Sequence, residues 1–508
     1  MFKSNNLAAR IFERQILSPA PGTSVHYARQ FYENVVPAYT IYDVNCPDHN
    51  FRKFTDDGQY LISFSRNYQD LIVYRPAWLS YSCKEEFCNL HDDLPQRARK
   101  FESFFTQLHC IPLASTNEVI CKDFFLYVES KQFGLFATST AQGPDAPATE
   151  GAVHGVPSIE RITFHLVRLE DGDILDAKVL YNDFVNLAHN MGVFLYDDLL
   201  AILSLRYQTI HVLQIRDTGN LVHVRAIGAF CREDDELFLN SHAQCLALDR
   251  TRQDVSSRRV LGDHSTSCAG SFLSGIKQRL LSFIFRRIWN EEKDHTMVQF
   301  LDRHHLLIKL GSVDGGVSRN ADHHPAFFAV YNMETTEMIA FYQSSAEDLY
   351  YLFKNFCDHF DTPSRNSIHT SSISSHANNI HAQKQLQIIE NRATNFSQFV
   401  KKMLSTLPFN CQSLSPSPYF DQRLFRFDEK LISAADRPRQ STEHPIKFIS
   451  RRQPNSLKFK IKPGPEVGGA DGRQKRISSF LFHPSLPLAL SIQQTYLQPA
   501  VVNIHFRK

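Results

Sequence analysis

The chain has 508 residues, a net charge of +2, 43% hydrophobic and 21% charged residues, with 40 phenylalanines and 18 tyrosines. So balanced a charge excludes a globally basic nucleic-acid binder, and the aromatic excess favours pleated, half-buried surfaces, hence sheet. No window reaches the run of about 18 apolar residues needed to span a bilayer, the first fifteen residues lack a secretory core, and the 10 scattered cysteines read as free or buried thiols of a reducing compartment, cytosol or nucleus.

Residues 6–16, NLAARIFERQI, place Leu7, Ile11 and Phe12 on one helical face with Arg10 and Arg14 beside them; Pro21 and Gly22 end the segment. Such a helix either caps the fold or detaches to insert into a partner. From Val36 the pattern turns strand-like. YTIYDV alternates, FRKFTDDGQYLISFS (Phe51 to Ser65) holds Asp56-Asp57-Gly58 as a tight turn, and DLIVYRP (Asp70 to Pro76) pairs with it, so 36–76 reads as one antiparallel unit. Residues 78–108 are variable, and RKFESFF within them suggests a helix.

FFLYVES and RITFHLVRLEDGDIL, with a turn at Glu170-Asp171-Gly172, read as strands; 141–156 reads as a surface loop. The best organised stretch is Gly192 to Phe230, where GVFLY, LLAILSL, TIHVLQI and LVHVRAI are separated by DD, RYQ and RDTGN. Consecutive antiparallel strands at that spacing match one propeller blade or a sandwich sheet. Residues 271–289 carry a broad apolar helical stripe, while FLDRHHLLIKLG and FFAVYNMETTEMIAFYQ add a strand and a hairpin. A helical insertion is expected over 345–407, opened by a Ser345–Asp348 cap and split by the polar spacer SIHTSSISSHANN. Strands return at IKFISRR, LKFKIKPG, FLFHPSLPLALSIQ and VVNIHF, with GPEVGGADGRQKR as a loop. The expected class is all-β with helical insertions, and the missing βαβ alternation argues against a Rossmann or barrel enzyme.

Chemistry is sparse. His304-His305 would face opposite sides of a strand, His323-His324 lacks companion ligands, and Cys83 and Cys88 have no second pair, so no metal site is expected. No nucleophile elbow, zinc-protease helix, phosphate loop or kinase set occurs. Asp56-Asp57 and Asp197-Asp198 fall in turns, where aspartate accepts backbone hydrogen bonds. Neither a catalytic residue nor a cofactor is expected. Arg451, Arg452, Lys458, Lys460 and Lys462 form a basic ladder, the three lysines alternating onto one face; they form either a solvated face or a contact for an acidic protein surface, histones or nucleic acid.

The blocks NVVPAYTIYDVNCPDHNFRKFTDDGQYLISFS, LYDDLLAILSLRYQTIHVLQI, IGAFCREDDEL, SPSPYFDQRLFRFDEKLISAADRPR, HPIKFISRR and RISSFLFHPSLPLALSIQ resemble, in order, segments of the De-etiolated family. An insect branch of that family is the expected nearer match. The resemblance implies a WD-like β-propeller of seven blades over 30–508, interrupted at 78–108, 271–290 and 345–407, behind a helix and linker at 1–22. It further implies a nuclear, non-catalytic receptor subunit of a cullin RING ubiquitin ligase. The implied partners are the damaged-DNA-binding adaptor protein, a small De-etiolated-associated accessory subunit, the Constitutive photomorphogenic ligase and ubiquitin-conjugating enzymes. Adaptor binding would fall on Leu7, Arg10, Ile11, Phe12 and Arg14. A chromatin-associated repressor, acting on histone genes among others, is the alternative, and no membrane partner is expected. The chain departs from the family pattern at 79–95 and between IFRRIW and FLDRHH, where only NEEKDHTMVQ remains, which puts any partnership through those stretches in doubt.

Overall fold

Apolar runs of five to seven residues, each closed by turn chemistry, become strands. The computed structural model describes residues 31–77, 100–141, 156–207, 209–227, 297–310, 327–335, 337–343, 417–420, 424–428, 445–464, 477–494 and 500–507, with isolated positions between 346 and 395. Strand β1 (Tyr39–Val44) is set aside by the chain and used last. Sheet 1 then forms from β2 (His49–Phe54), β3 (Leu61–Ser65), β4 (Asp70–Pro76) and β5 (Phe105–Pro112) in that order. Sheet 2 contains β6 (Glu118–Ile120), β7 (Leu126–Val128), β8 (Phe133–Thr140), β9 (Ile159–Arg168) and β10 (Ile174–Asp183), in the order β10-β9-β8-β6 with β7 also on β8.

Sheet 3 is a meander of β11 (Val193–Tyr196), β12 (Leu199–Ser204), β13 (Thr209–Ile215) and β14 (Leu221–Ile227), the four runs expected from the sequence. Sheet 4 repeats the pattern with β15 (Met297–Phe300), β16 (His305–Leu310), β17 (Phe327–Asn332) and β18 (Glu337–Gln343). Sheet 5 has β19 (Phe425–Arg426), β20 (Ile446–Ser450) and β21 (Leu457–Ile461). Sheet 6 closes the chain: β22 (Ile477–Phe482), β23 (Ala489–Gln494), β24 (Val501–Phe506), and then β1 on its outer side.

The inner strands are buried on both faces, so they read as continuous rather than alternating apolar runs. In β12, Leu199, Ala201 and Leu203 enter the core shared with sheet 4, while Leu200 and Ile202 enter the core shared with sheet 2. In β3, Leu61 faces sheet 6, and Ile62 and Phe64 face sheet 2. Further cores join sheet 5 to sheet 6, so the sheets pack in the series 5-6-1-2-3-4. Each fully buried leucine or phenylalanine in such a layer contributes about 1.5–3 kcal/mol.

Two expectations change. Tyr39–Val44 does not pair with 49–76; its partner is β24, with Tyr39 opposite Phe506 and Ile41 opposite Ile504. Pro47, which has no N–H to donate, separates it from β2, and Ile41 and Val44 reach the core between sheets 6 and 1. RKFESFF is not a long helix: Phe101–Ser103 makes one 3-10 turn, and the strand β5 begins at Phe105. Phe101 is drawn into an aromatic stack, 4.7 Å from Phe105, and burial of both rings overrides helical spacing. The described residues contain six sheets where the resemblance implies seven blades. The apolar stripe at 271–290 and nearly all of the 345–407 insertion lie outside the described residues.

Candidate functional site

Among the described residues no three histidines, cysteines or carboxylates converge on a metal site, and no helix is long and apolar enough to cross a membrane. The carboxylate pairs serve turns, as their positions implied. Asp57 Oδ1 accepts from Thr55 Oγ1 at 2.6 Å and Gln59 N at 3.0 Å, its Oδ2 accepts from the Tyr127 hydroxyl at 2.7 Å, and Lys53 meets Asp56 at 2.9 Å. Burial raises the Asp56 carboxyl, and burial together with Asp56 and Asp57 pushes Glu129 up to about 7. Asp198 is held below the usual carboxylate range by hydrogen bonds from Gln214 and Arg303, which outweigh its desolvation. His304 lies in the turn before β16 and faces Glu334 at 3.6 Å, whereas His305 meets Asp302 at 2.8 Å. Each histidine thus has its own carboxylate. His323, His324, Cys83 and Cys88 lie outside the described residues.

A buried polar contact joins two segments of similar outline. His483, in the turn between β22 and β23, is 2% exposed and reaches the turn between β2 and β3. Its Nε2–H donates to Gly58 O at 2.9 Å, and its Nδ1 accepts from the backbone N–H groups of Ser485 at 3.1 Å and Leu486 at 2.9 Å. These partners require the neutral ring, and burial lowers its pKa to about 4. Phe54 packs 5.1 Å from the imidazole. Gly58 has φ +78°, and a Cβ there would lie 2.4 Å from His483 Cε1, so glycine is required on both counts. His483 therefore latches sheet 6 to sheet 1. A second buried histidine, His505, bridges Thr40 Oγ1 of β1 at 2.9 Å and Ser491 Oγ of β23 at 3.1 Å, and its pKa is likewise lowered to about 4 by burial.

The basic ladder lies on sheet 5. Phe425, Phe448 and Phe459 turn to the core between sheets 5 and 6, the last two rings stacked 4.3 Å apart. The lysines do not form one even row. A register shift places Phe459 opposite Phe448 but Leu457 opposite Ile449, leaving Lys458 between them, half-buried. Lys460 is exposed, and Lys462 lies beyond the end of β21, half-buried. Arg451 and Arg452 are exposed in the turn between β20 and β21, and Arg452 Nε pairs with Glu33 Oε2 at 3.1 Å. The sequence reading missed Lys447, exposed on β20 directly opposite Lys460, and Arg426, exposed on β19. The outward phase of I-K-F-I-S was the available signal.

Glu33 belongs to the segment through which the chain reaches its first strand. Tyr32 OH donates to Ser485 O at 3.0 Å, Tyr419 OH to Val35 O at 2.6 Å, Arg507 to Asn34 O at 3.0 Å, and Ser450 Oγ to Glu33 at 3.3 Å. Residues 31–36 are thus pinned across the junction of sheets 5 and 6. Leu7, Arg10, Ile11, Phe12 and Arg14 lie outside the described residues.

These features define an all-β protein of serially packed antiparallel sheets whose buried charge and histidine serve turns and sheet junctions. The family model for De-etiolated protein 1 matches residues 122–298 and 295–508. The chain is 68% identical, over the whole of both sequences, to the light-mediated development protein DET1 of Solanum lycopersicum, and 63% identical, again over the whole of both, to the protein of that name from Arabidopsis thaliana. It belongs to the De-etiolated family. Both of these relatives are plant proteins rather than members of the insect branch. Among solved structures, a Phanerochaete chrysosporium exo-β-1,3-galactanase is similar at 8% identity and a TM-score of 0.23, covering 61% of this chain and 54% of that one.

Proposed function

We propose that the protein is a non-catalytic receptor subunit of a nuclear cullin RING ubiquitin ligase. In this reading, residues 1–22 bind the damaged-DNA-binding adaptor protein, and a propeller formed by the serial sheets carries substrate and the other subunits. These are the De-etiolated-associated accessory subunit, the Constitutive photomorphogenic ligase and ubiquitin-conjugating enzymes. Full-length family membership is the observation that carries the reading. The anchored segment 31–36 adds physical sense, because whatever precedes it is tethered at a fixed point on the sheet body. Holding substrate beside a charged conjugating enzyme works through effective concentration and needs no chemistry from this chain.

The test is a pull-down of the cullin adaptor by the intact chain and by a variant combining Leu7→Ala, Ile11→Ala and Phe12→Ala. Truncating three side chains that fill a groove should reduce adaptor recovery by about tenfold or more while leaving the melting temperature unchanged. Undiminished recovery would remove the helix as the adaptor contact, and absence of adaptor from the wild-type eluate would remove the ligase reading.

A further inference from the structure

Two histidines of sheet 3 differ from those that brace turns and junctions. His49, His109, His165, His305, His483 and His505 each meet a hydroxyl, carbonyl or carboxylate oxygen at 2.7–2.9 Å. Among the described residues, His211 and His223 have no such oxygen; their rings meet edge to face, with centroids 5.7 Å apart. His211 stands opposite Ile202 and His223 opposite Leu213, while Lys178 of sheet 2 stands opposite Phe164. Opposed residues share a face of their sheet, and Ile202, Leu213 and Phe164 all enter the core between sheets 2 and 3. The three basic side chains therefore lie on the facing sides of these two sheets. Lys178 and His211 are half-buried there, and His223 is exposed. Burial, the His223 ring and Lys178 lower His211 to about 4, burial and Lys178 lower His223, and no carboxylate acts on either ring. The carboxylates of β10 are engaged elsewhere: Asp176 accepts from Leu221 N and Asp183 from Ser204 Oγ, each at 2.7 Å. His165, opposite Phe136, and Arg225, opposite Val212, face the other sides of their sheets. Lys178 forms no ion pair among the described residues. Imidazoles without hydrogen bonds, packed beside a cation, cost stability, so folding gives no reason for the trio.

We propose that the margin between sheets 2 and 3 binds a phosphate monoester group through Lys178, His211 and His223. The three side chains bring nitrogen donors from β10, β13 and β14, and a monoester presents three acceptor oxygens with a charge near −2. A carboxylate offers two oxygens in one plane and a single charge. A divalent metal ion fits less well, because Lys178 repels it and no third ligand joins the two imidazoles among the described residues. The bound dianion reverses the electrostatics of the empty site. It favours the charged form of both rings, so binding takes up protons. The group can come from a phosphorylated side chain of a partner protein or from a small phosphorylated molecule. The proposal stands apart from the ligase reading, since it concerns a different surface from residues 1–22.

The experiment is isothermal titration calorimetry on the full-length chain with methyl phosphate, a phosphoserine peptide, the same peptide unphosphorylated, and zinc chloride. Methyl phosphate and the phosphopeptide should bind, and their affinity should rise by about threefold or more between pH 8 and pH 6.5 as the rings take up protons. A monoester, with its second pKa near 6, stays mostly dianionic over that range. Lys178→Gln should weaken both by about tenfold, whereas Lys178→Arg, which keeps the charge, should retain binding. His223→Gln should weaken binding and reduce the proton uptake read in buffers of different ionisation enthalpy. Both residues reach the surface, so melting temperatures should stay at the wild-type value, which separates a lost ligand contact from a lost fold. A tighter phosphopeptide assigns the group to a partner protein, and equal affinities assign it to a small molecule; both uphold the site. No binding of either phosphorylated probe, equal binding of the unphosphorylated peptide, zinc binding in place of phosphate, or wild-type affinity in Lys178→Gln would each overturn the proposal.

Discussion

Replacing His483 by glutamine should flatten the acid dependence of stability by a calculable amount. The folded pKa of His483 is about 4 and its unfolded value 6.5, because burial and two N–H donors at Nδ1 hold the ring neutral. The unfolded chain therefore binds the proton more readily. Stability is full above pH 6.5 and is lost progressively as the pH falls toward 4. Between pH 7 and pH 5 the loss attributable to this one ring is about 2 kcal/mol, at about 1.4 kcal/mol per pH unit below 6.5. Urea unfolding of wild type and His483→Gln at the two pH values measures it. The variant should be less stable at pH 7, having lost the ring that satisfies Gly58 O and two backbone N–H groups, yet its further loss on going to pH 5 should be smaller than the wild type's by about 2 kcal/mol. His505 and His211, both also lowered to about 4 by burial, titrate in both proteins and cancel in the difference. Equal losses in the two proteins would show that His483 is not held neutral, and the latch between sheets 6 and 1 would lose its chemical basis.

Removing the Arg452 guanidinium should loosen the segment that precedes β1. Arg452→Ala leaves the largely buried Glu33 carboxylate with the Ser450 hydroxyl, so we expect a loss of about 1 kcal/mol in urea and faster amide exchange over 31–36; unchanged exchange there would mean the ion pair holds nothing. Glu129 has the opposite sign to the histidines: its pKa is raised to about 7, so its cost grows as the pH rises from 4.5 through 7. Glu129→Gln should therefore raise the melting temperature more at pH 8 than at pH 5, and a pH-independent effect would refute the raising of Glu129 by its burial beside Asp56 and Asp57.

Legibility in the sequence followed locality. Sheet 3 was readable strand by strand because turn chemistry, DD, RYQ and RDTGN, separates its four apolar runs. The hairpins of β9 with β10 and β17 with β18 were readable for the same reason. The partner of β1 was not, since YTIYDV alternates equally well against the strand that follows it and against VVNIHF at the far end of the chain. Long-range pairing is chosen by which core its buried residues complete, and local alternation carries no such information. The ladder of Lys458, Lys460 and Lys462 was assigned by strict alternation, which the register shift at Lys458 breaks.

The same locality explains why sheet 6 is built from both ends of the chain. A sheet whose outer strand comes from the N-terminal side cannot form until nearly the whole polypeptide is present, so its edge is covered only in the complete molecule. Three contacts then hold this sheet and its neighbour: β1 on β24 and His505 between Thr40 and Ser491 within sheet 6, and His483 on Gly58 between sheets 6 and 1. Two of the three run through histidines held neutral by burial, so they weaken as the pH falls below 6.5. Acidification should accordingly weaken sheet 6 and its junction with sheet 1, and also sheet 3, where burial lowers His211 on β13 to about 4 in the same way, before sheet 5, whose described strands contain no histidine. Amide exchange at pH 5 tests that order: protection should fall in 39–44, 501–506 and 209–215 while 446–450 and 457–461 stay protected, and loss in the reverse order would place the weak junction elsewhere.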